Sequence, residues 1–230
     1  MEGLNLIQKL VIFSLPLIFA ITVHETAHGW VAKRLGDNTA YMLGRLTLNP
    51  LKHIDPIGTI LVPIGLYLMT GYPFGWAKAV PVDWRNLGNP KRDMGIVALA
   101  GPAANLIMAL IWTLLIYLGF MLLDVFSQFA IPLIYMGVAG VLINAVLMAL
   151  NLLPILPLDG GRVLSSLLPV KQAQLYARTE AYGLIIVVLL LVTGLLGAIL
   201  QPLVSLTIQL LPASDIVYKL LPVILSPARS

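Results

Sequence analysis

Apolar residues run in long blocks along this chain, and polar positions gather in the short gaps between them. The first block, 10–23, carries no charge and continues as an apolar pattern through His24, Glu25 and His28 to Val31, where Lys33 and Arg34 end it. Glu2 and the lack of a small-residue cleavage site make it an uncleaved membrane helix and not a secretory signal. Blocks 95–123, 131–153 and 183–200 follow, each near the roughly 20 helical residues that cross a hydrocarbon core. Two segments are less regular. Segment 57–71 is short and contains Pro63 and Gly65, and 202–225 is broken by Pro212, Asp215, Lys219 and Pro222, so both are expected to be short, re-entrant or surface-lying. Period-two alternation at 41–48 and 75–82 predicts short extended strands, which survive at membrane depth only beside a cavity or at the interface. The pattern predicts an all-α multi-pass membrane protein of about five to six membrane segments, with short re-entrant or interfacial β-strands.

Composition sharpens this. Of 230 residues, 59% are apolar and only 10% charged, and the mean hydropathy is +0.95. A soluble domain is about 25% charged, so a soluble globular chain is excluded, as is disorder. The absence of cysteine excludes a disulfide scaffold. The net charge of +4 sits in loops between apolar runs, without a basic helix or aromatic-interleaved strand, which argues against a nucleic-acid partner. Loop charges orient membrane proteins instead. Eleven of the 14 lysines and arginines fall between Lys33 and Arg178, and none near Asp124. If 57–71 dips in and returns, all eleven share one face, which the positive-inside rule makes the cytoplasm of a cell membrane. With no internal repeat and no linker, residues 1–230 read as one integral-membrane domain in the lipid bilayer.

The chemistry lies within the first block. His24-Glu25-Thr26-Ala27-His28 sets two imidazoles four residues apart, on one face of a helix, with a carboxylate about 100° round from the first. Both rings can reach one ion, and Glu25 can act on water beside it. Zinc suits imidazole and carboxylate donors in tetrahedral geometry with one position open. Two histidines leave it a ligand short. Asp55, Asp124, Asp159 and His53 are candidates, and Asp159 is favoured, because the prolines and glycines of 151–161 break the helix and permit the backbone angles that aim a carboxylate. Asp159 meets the histidines only if the helix from Ile131 also runs toward the cytoplasm, which again requires that 57–71 does not cross.

HETAH, the Gly101-Pro102-Ala103-Ala104-Asn105 stretch, the N-x-x-P-x-x-x-L-D-G pattern from Asn151 to Gly160 and the run Gly44-Arg45-Leu46-Thr47-Leu48-Asn49-Pro50 together resemble the site-2 protease family of intramembrane zinc metalloproteases, in its compact prokaryotic branch without PDZ or CBS domains. The resemblance covers about residues 20–165. It implies Zn2+ held by His24, His28 and Asp159, Glu25 as catalytic carboxylate, and Asn105 and Asn151 as substrate-binding residues. It also implies hydrolysis of a peptide bond in the transmembrane helix of a single-pass protein, a regulated intramembrane proteolysis. Such a helix must unwind to expose its carbonyls, and the strands at 41–48 and 79–82 are candidate partners for the unwound backbone.

Other features have plainer readings. Asn105 and Asn151 are also suited to bonding between helices. His53 and Asp55 fit a turn before Pro56, Pro102 fits either a kink beside the metal or an inert place near a helix start, and Tyr72, Trp76 and Trp84 fit interface anchors. The rival function is a transporter or channel with a buried histidine metal site, but such a protein has no need of Glu25 and would carry further polar residues along its other spans.

Overall fold

The computed structural model describes residues 4–62, 64–65 and 75–226. Helix α1 (Leu6–Arg34) starts at a reciprocal cap: the Gln8 amide donates to Asn5 Oδ1 at 2.9 Å and the Asn5 amide to Gln8 Oε1 at 3.0 Å, so two orphan helix donors are satisfied together. It ends on Lys33 and Arg34, whose charges suit the negative pole of the helix, before Gly36 turns the chain at φ +114°. After the single turn α2 (Thr39–Met42) come a 3-10 turn at Pro50–His53, a π-helical turn at Pro56–Leu61 and a 3-10 turn at Trp84–Asn86. Helix α3 (Pro90–Leu122) has its proline at the first position, where no amide is needed. Asn89 Oδ1 accepts from the Arg92 amide, and Asp93 Oδ2 accepts from the Asn89 amide at 2.7 Å. Then follow α4 (Ser127–Asn151), α5 (Asp159–Leu167), α6 (Val170–Ala177), α7 (Glu180–Val192), α8 (Leu195–Gln209) and α9 (Ser214–Leu225).

Two compact units divide the chain. The first comprises 1–20, 103–150 and 199–230. Trp112 and Ile116 of α3 pack there against Val138 and Ala145 of α4, with Gly137 and Gly140 leaving no side chain between the helices: a Cβ on Gly140 would collide with the Trp112 ring. Val217, Leu220 and Ile224, at helical spacing on α9, complete that core. The C-terminal stretch is therefore core material. The second unit comprises 21–102 and 151–198. Its loops are tied by Asp37, fully buried, which accepts from the Thr39 amide and hydroxyl, the Asp83 amide at 2.9 Å and Asn86 Nδ2 at 3.0 Å. Ala32, Leu87 and Val97 pack beside it.

Among the described residues α1, α3 and α4 are long and apolar enough to cross a membrane, and α6 with α7, bent by 61°, add a fourth crossing if they act as one span. The protein is thus an all-α, membrane-integrated chain. The expectation of one helix across 183–200 needs correcting: it breaks at Thr193–Gly194, where Gly194 takes φ +76° and the Thr193 hydroxyl donates to Leu189 O. The expected strands are absent among the described residues. Tyr41 and Met42 are helical, and 75–82 has no regular secondary structure, with the Arg45 and Glu25 side chains bonded to backbone groups of Lys78, Ala79 and Val80. Much of 57–71 lies outside the described residues.

Candidate active site

Helical periodicity alone brings His24 and His28 together. Their Nε2 atoms are 3.1 Å apart, with ring centroids at 4.7 Å and planes at 84°. Asp159 reaches them because α5 starts with that residue, and Gly160 and Gly161 let the first turn press onto the 152–156 backbone. A Cβ on Gly160 would collide with Leu152 O, and one on Gly161 would lie 2.6 Å from Leu156 N. Asp159 Oδ2 stands 3.3 Å from His24 Nε2 and 3.4 Å from His28 Nε2.

These donors fit zinc. With metal bonds of about 2.0–2.1 Å, two ligands of a tetrahedral site are separated by roughly 3.3 Å, the spacing found here. His28 Nδ1 lies 2.8 Å from Val97 O, so that nitrogen carries the proton and Nε2 presents its lone pair. Asp159 Oδ2 is buried and accepts no hydrogen bond, an arrangement that costs free energy unless a cation sits beside it. Gly101 keeps the space open: a Cβ there would collide with His28 Nε2 and meet His24 Cε1 at 2.5 Å. Pro102 follows within α3 and has no amide for Ala98 O four residues back.

Glu25, one residue on from His24, has Oε2 held by the Val80 amide at 2.8 Å. Of the alternatives for the third ligand, Asp124 is exposed in the turn after α3, in the first unit, and the other two are engaged elsewhere. Asp55 caps the 56–61 turn through the Ile57 and Gly58 amides, and His53 is buried with Nε2 2.9 Å from Thr47 O. Asn105 belongs to the first unit, where it is fully buried and its Nδ2 donates to Asn144 Oδ1 at 2.9 Å and, more weakly, to Ala20 O. Asn151 ends α4, in the second unit. Reading the sequence missed Val97, Val80 and Asn144. The first two act through backbone atoms, which leave no mark in residue type, and Asn144 stood out from an apolar helix only as one polar letter.

Comparison with known proteins agrees with this geometry. A family model for Peptidase family M50 matches residues 125–194, from α4 through α7 and including Asp159. The chain is 39% identical over 203 residues to the Bacillus subtilis (strain 168) protein named "Putative zinc metalloprotease YwhC", covering 88% of each chain. It is 34% identical over 182 residues to "Putative zinc metalloprotease Rip2" of Mycolicibacterium smegmatis, covering 78% of this chain and 66% of that one. It is 27% identical over 174 residues to the protein of the same name in Mycobacterium tuberculosis strain H37Rv, of which it covers 63%. No solved structure matches the chain. Identity of this order along nearly the whole of a relative places the chain in peptidase family M50, the site-2 protease family of zinc metalloproteases.

Proposed function

We propose that residues 1–230 act as one integral-membrane metalloprotease domain that hydrolyses a peptide bond within or near the transmembrane helix of a single-pass protein. The observation that carries this reading is the convergence of His24, His28 and Asp159, with a buried carboxylate oxygen that no donor satisfies. These three would hold zinc. Zinc, when bound, supplies Lewis-acid chemistry that polarises a carbonyl and acidifies water. Glu25 takes a proton from the attacking water as oxygen adds to the scissile carbonyl carbon. It then delivers that proton to the leaving nitrogen as the C–N bond breaks, leaving a carboxyl and an amine terminus. Asn151 is assigned to the unwound substrate backbone, whereas Asn105, fully buried and bonded to Asn144, fits the alternative role of bonding between helices.

The protein is assigned to the cytoplasmic membrane with its active site toward the cytoplasm. The eleven basic residues between Lys33 and Arg178 support that, given a re-entrant 57–71. The transporter reading has no use for a carboxylate between the two imidazoles.

The test compares two variants. Glu25→Gln keeps zinc and loses cleavage of a reconstituted single-pass substrate by about 10²- to 10⁴-fold, the usual contribution of a proton-transferring group. Asp159→Ala loses zinc affinity as well. Retained cleavage in Glu25→Gln overturns the assigned role, and full zinc stoichiometry and affinity in Asp159→Ala removes it from the ligand set.

A further inference from the structure

The Val80 amide that holds Glu25 belongs to an irregular segment with no strand partner among the described residues. Val80 is buried at 6% exposure, but Lys78 and Ala79 before it are exposed. Arg45 fixes their backbone: its Nη2 donates to Lys78 O at 3.0 Å and, more weakly, to Ala79 O at 3.4 Å. The Lys78 amide is tied on the same stretch to His53 O at 2.9 Å. Arg45 is itself anchored, since its amide donates to Ala40 O at 2.9 Å directly after Gly44 turns the chain at φ +62°.

Among the described residues no carboxylate lies within ion-pair range of Arg45. Its charge is spent on two successive peptide carbonyls, and charge-assisted hydrogen bonds of this kind are about twice as strong as neutral ones. Pro81 follows Val80 and has no amide, so the next residue along offers no donor to replace the one that reaches Glu25. A glutamate side chain otherwise samples several rotamers, and a misplacement of about 1 Å at a reacting group costs on the order of 10²-fold in rate.

We propose that Arg45 is a positioning residue of the hydrolytic reaction: by gripping the Lys78 and Ala79 carbonyls it presents the Val80 N–H that fixes the Glu25 carboxylate. The inference rests on Glu25 being the proton carrier. It differs from a purely structural role because Arg45 touches no metal donor, so its loss leaves zinc binding alone.

The experiment uses the full chain in phospholipid vesicles with a single-pass substrate. Arg45→Ala lowers kcat about 10- to 100-fold with KM and zinc content within about twofold of wild type, and Arg45→Lys, which can hold one carbonyl, recovers part of the loss. A second readout needs no turnover. In zinc-free protein, amide exchange across residues 78–82 speeds up about tenfold or more in both Arg45→Ala and Glu25→Ala, with Arg45→Lys in between. Unchanged exchange in Arg45→Ala, a kcat within about twofold of wild type, or zinc loss in proportion to lost turnover overturns the proposal. A wild-type protein that cleaves no membrane substrate overturns the protease reading instead, and the two failures are told apart because the exchange link between Arg45 and Glu25 then persists.

Discussion

Each compact unit buries a set of polar side chains, and the two sets are balanced in opposite ways. In the first unit Asn105, Asn144 and Thr113 are at most 1% exposed, and their donors end on acceptors: Asn105 on Asn144, Asn144 on Gly140 O at 2.8 Å, Thr113 on Ala109 O at 2.9 Å. In the second unit His24, His28 and Asp159 bring three potential ligand atoms within 3.1–3.4 Å of one another, and Asp159 Oδ2 has no hydrogen-bond partner. Ligand atoms gathered this closely around a buried carboxylate oxygen without a hydrogen bond suit a cation, whereas the asparagines bond the helices as they stand. Burial does not separate structural polar groups from chemical ones. The balance of donors against acceptors does.

Three changes probe that contrast. The largest effect is expected from Gly101→Ala, whose methyl would occupy the space between the imidazoles and push both donors apart. Zinc affinity measured by competition with a chelator should fall by more than about 100-fold, beyond what loss of an outer hydrogen-bond partner costs, and wild-type affinity would remove Gly101 from the site. Asn144→Ala should do the reverse. It removes the stronger acceptor of the Asn105 amide and costs about 1–2 kcal/mol in detergent unfolding, while zinc per folded molecule stays at the wild-type level. A loss of zinc there would mean that the two sets are not independent.

The smallest effect concerns Asp37, outside the spans. Burial pushes its carboxyl up, but bonds from the Thr39 side chain, Asn86 and the amides of Thr39 and Asp83 outweigh that and hold it below its ordinary 3.8. A carboxyl depressed in the folded state stabilises fully above its unfolded value and loses that contribution as pH falls through the folded value. The melting temperature should thus drop below about pH 4 in wild type more steeply than in Asp37→Asn, which carries no charge to lose. Identical acid profiles would show that Asp37 ties the loops without electrostatic consequence.

How far the sequence could be read depended on the range of the interaction. The crossings by α1, α3 and α4 were legible because twenty apolar residues in succession leave a chain few alternatives to a membrane helix. The 183–200 run was misread as unbroken, since its hydropathy continues through Thr193–Gly194 and only the backbone angle at Gly194 breaks it. The strands at 41–48 and 75–82 were drawn from alternation, which describes side chains. A strand also needs a backbone partner, and Arg45, His53 and Glu25 took those positions.

The sequence by itself determined the class of protein, the pairing of His24 with His28 and the carboxylate between them, because hydropathy and helical period are local properties that need nothing distant to express them. The tertiary structure decided that Asp159, favoured among several candidates, comes to the paired histidines, that Gly101 leaves space beside them, and that Val97 O and the Val80 amide meet His28 and Glu25. Those choices depend on which backbone atoms approach one another across long stretches of chain, and residue identity along a single line does not encode that approach.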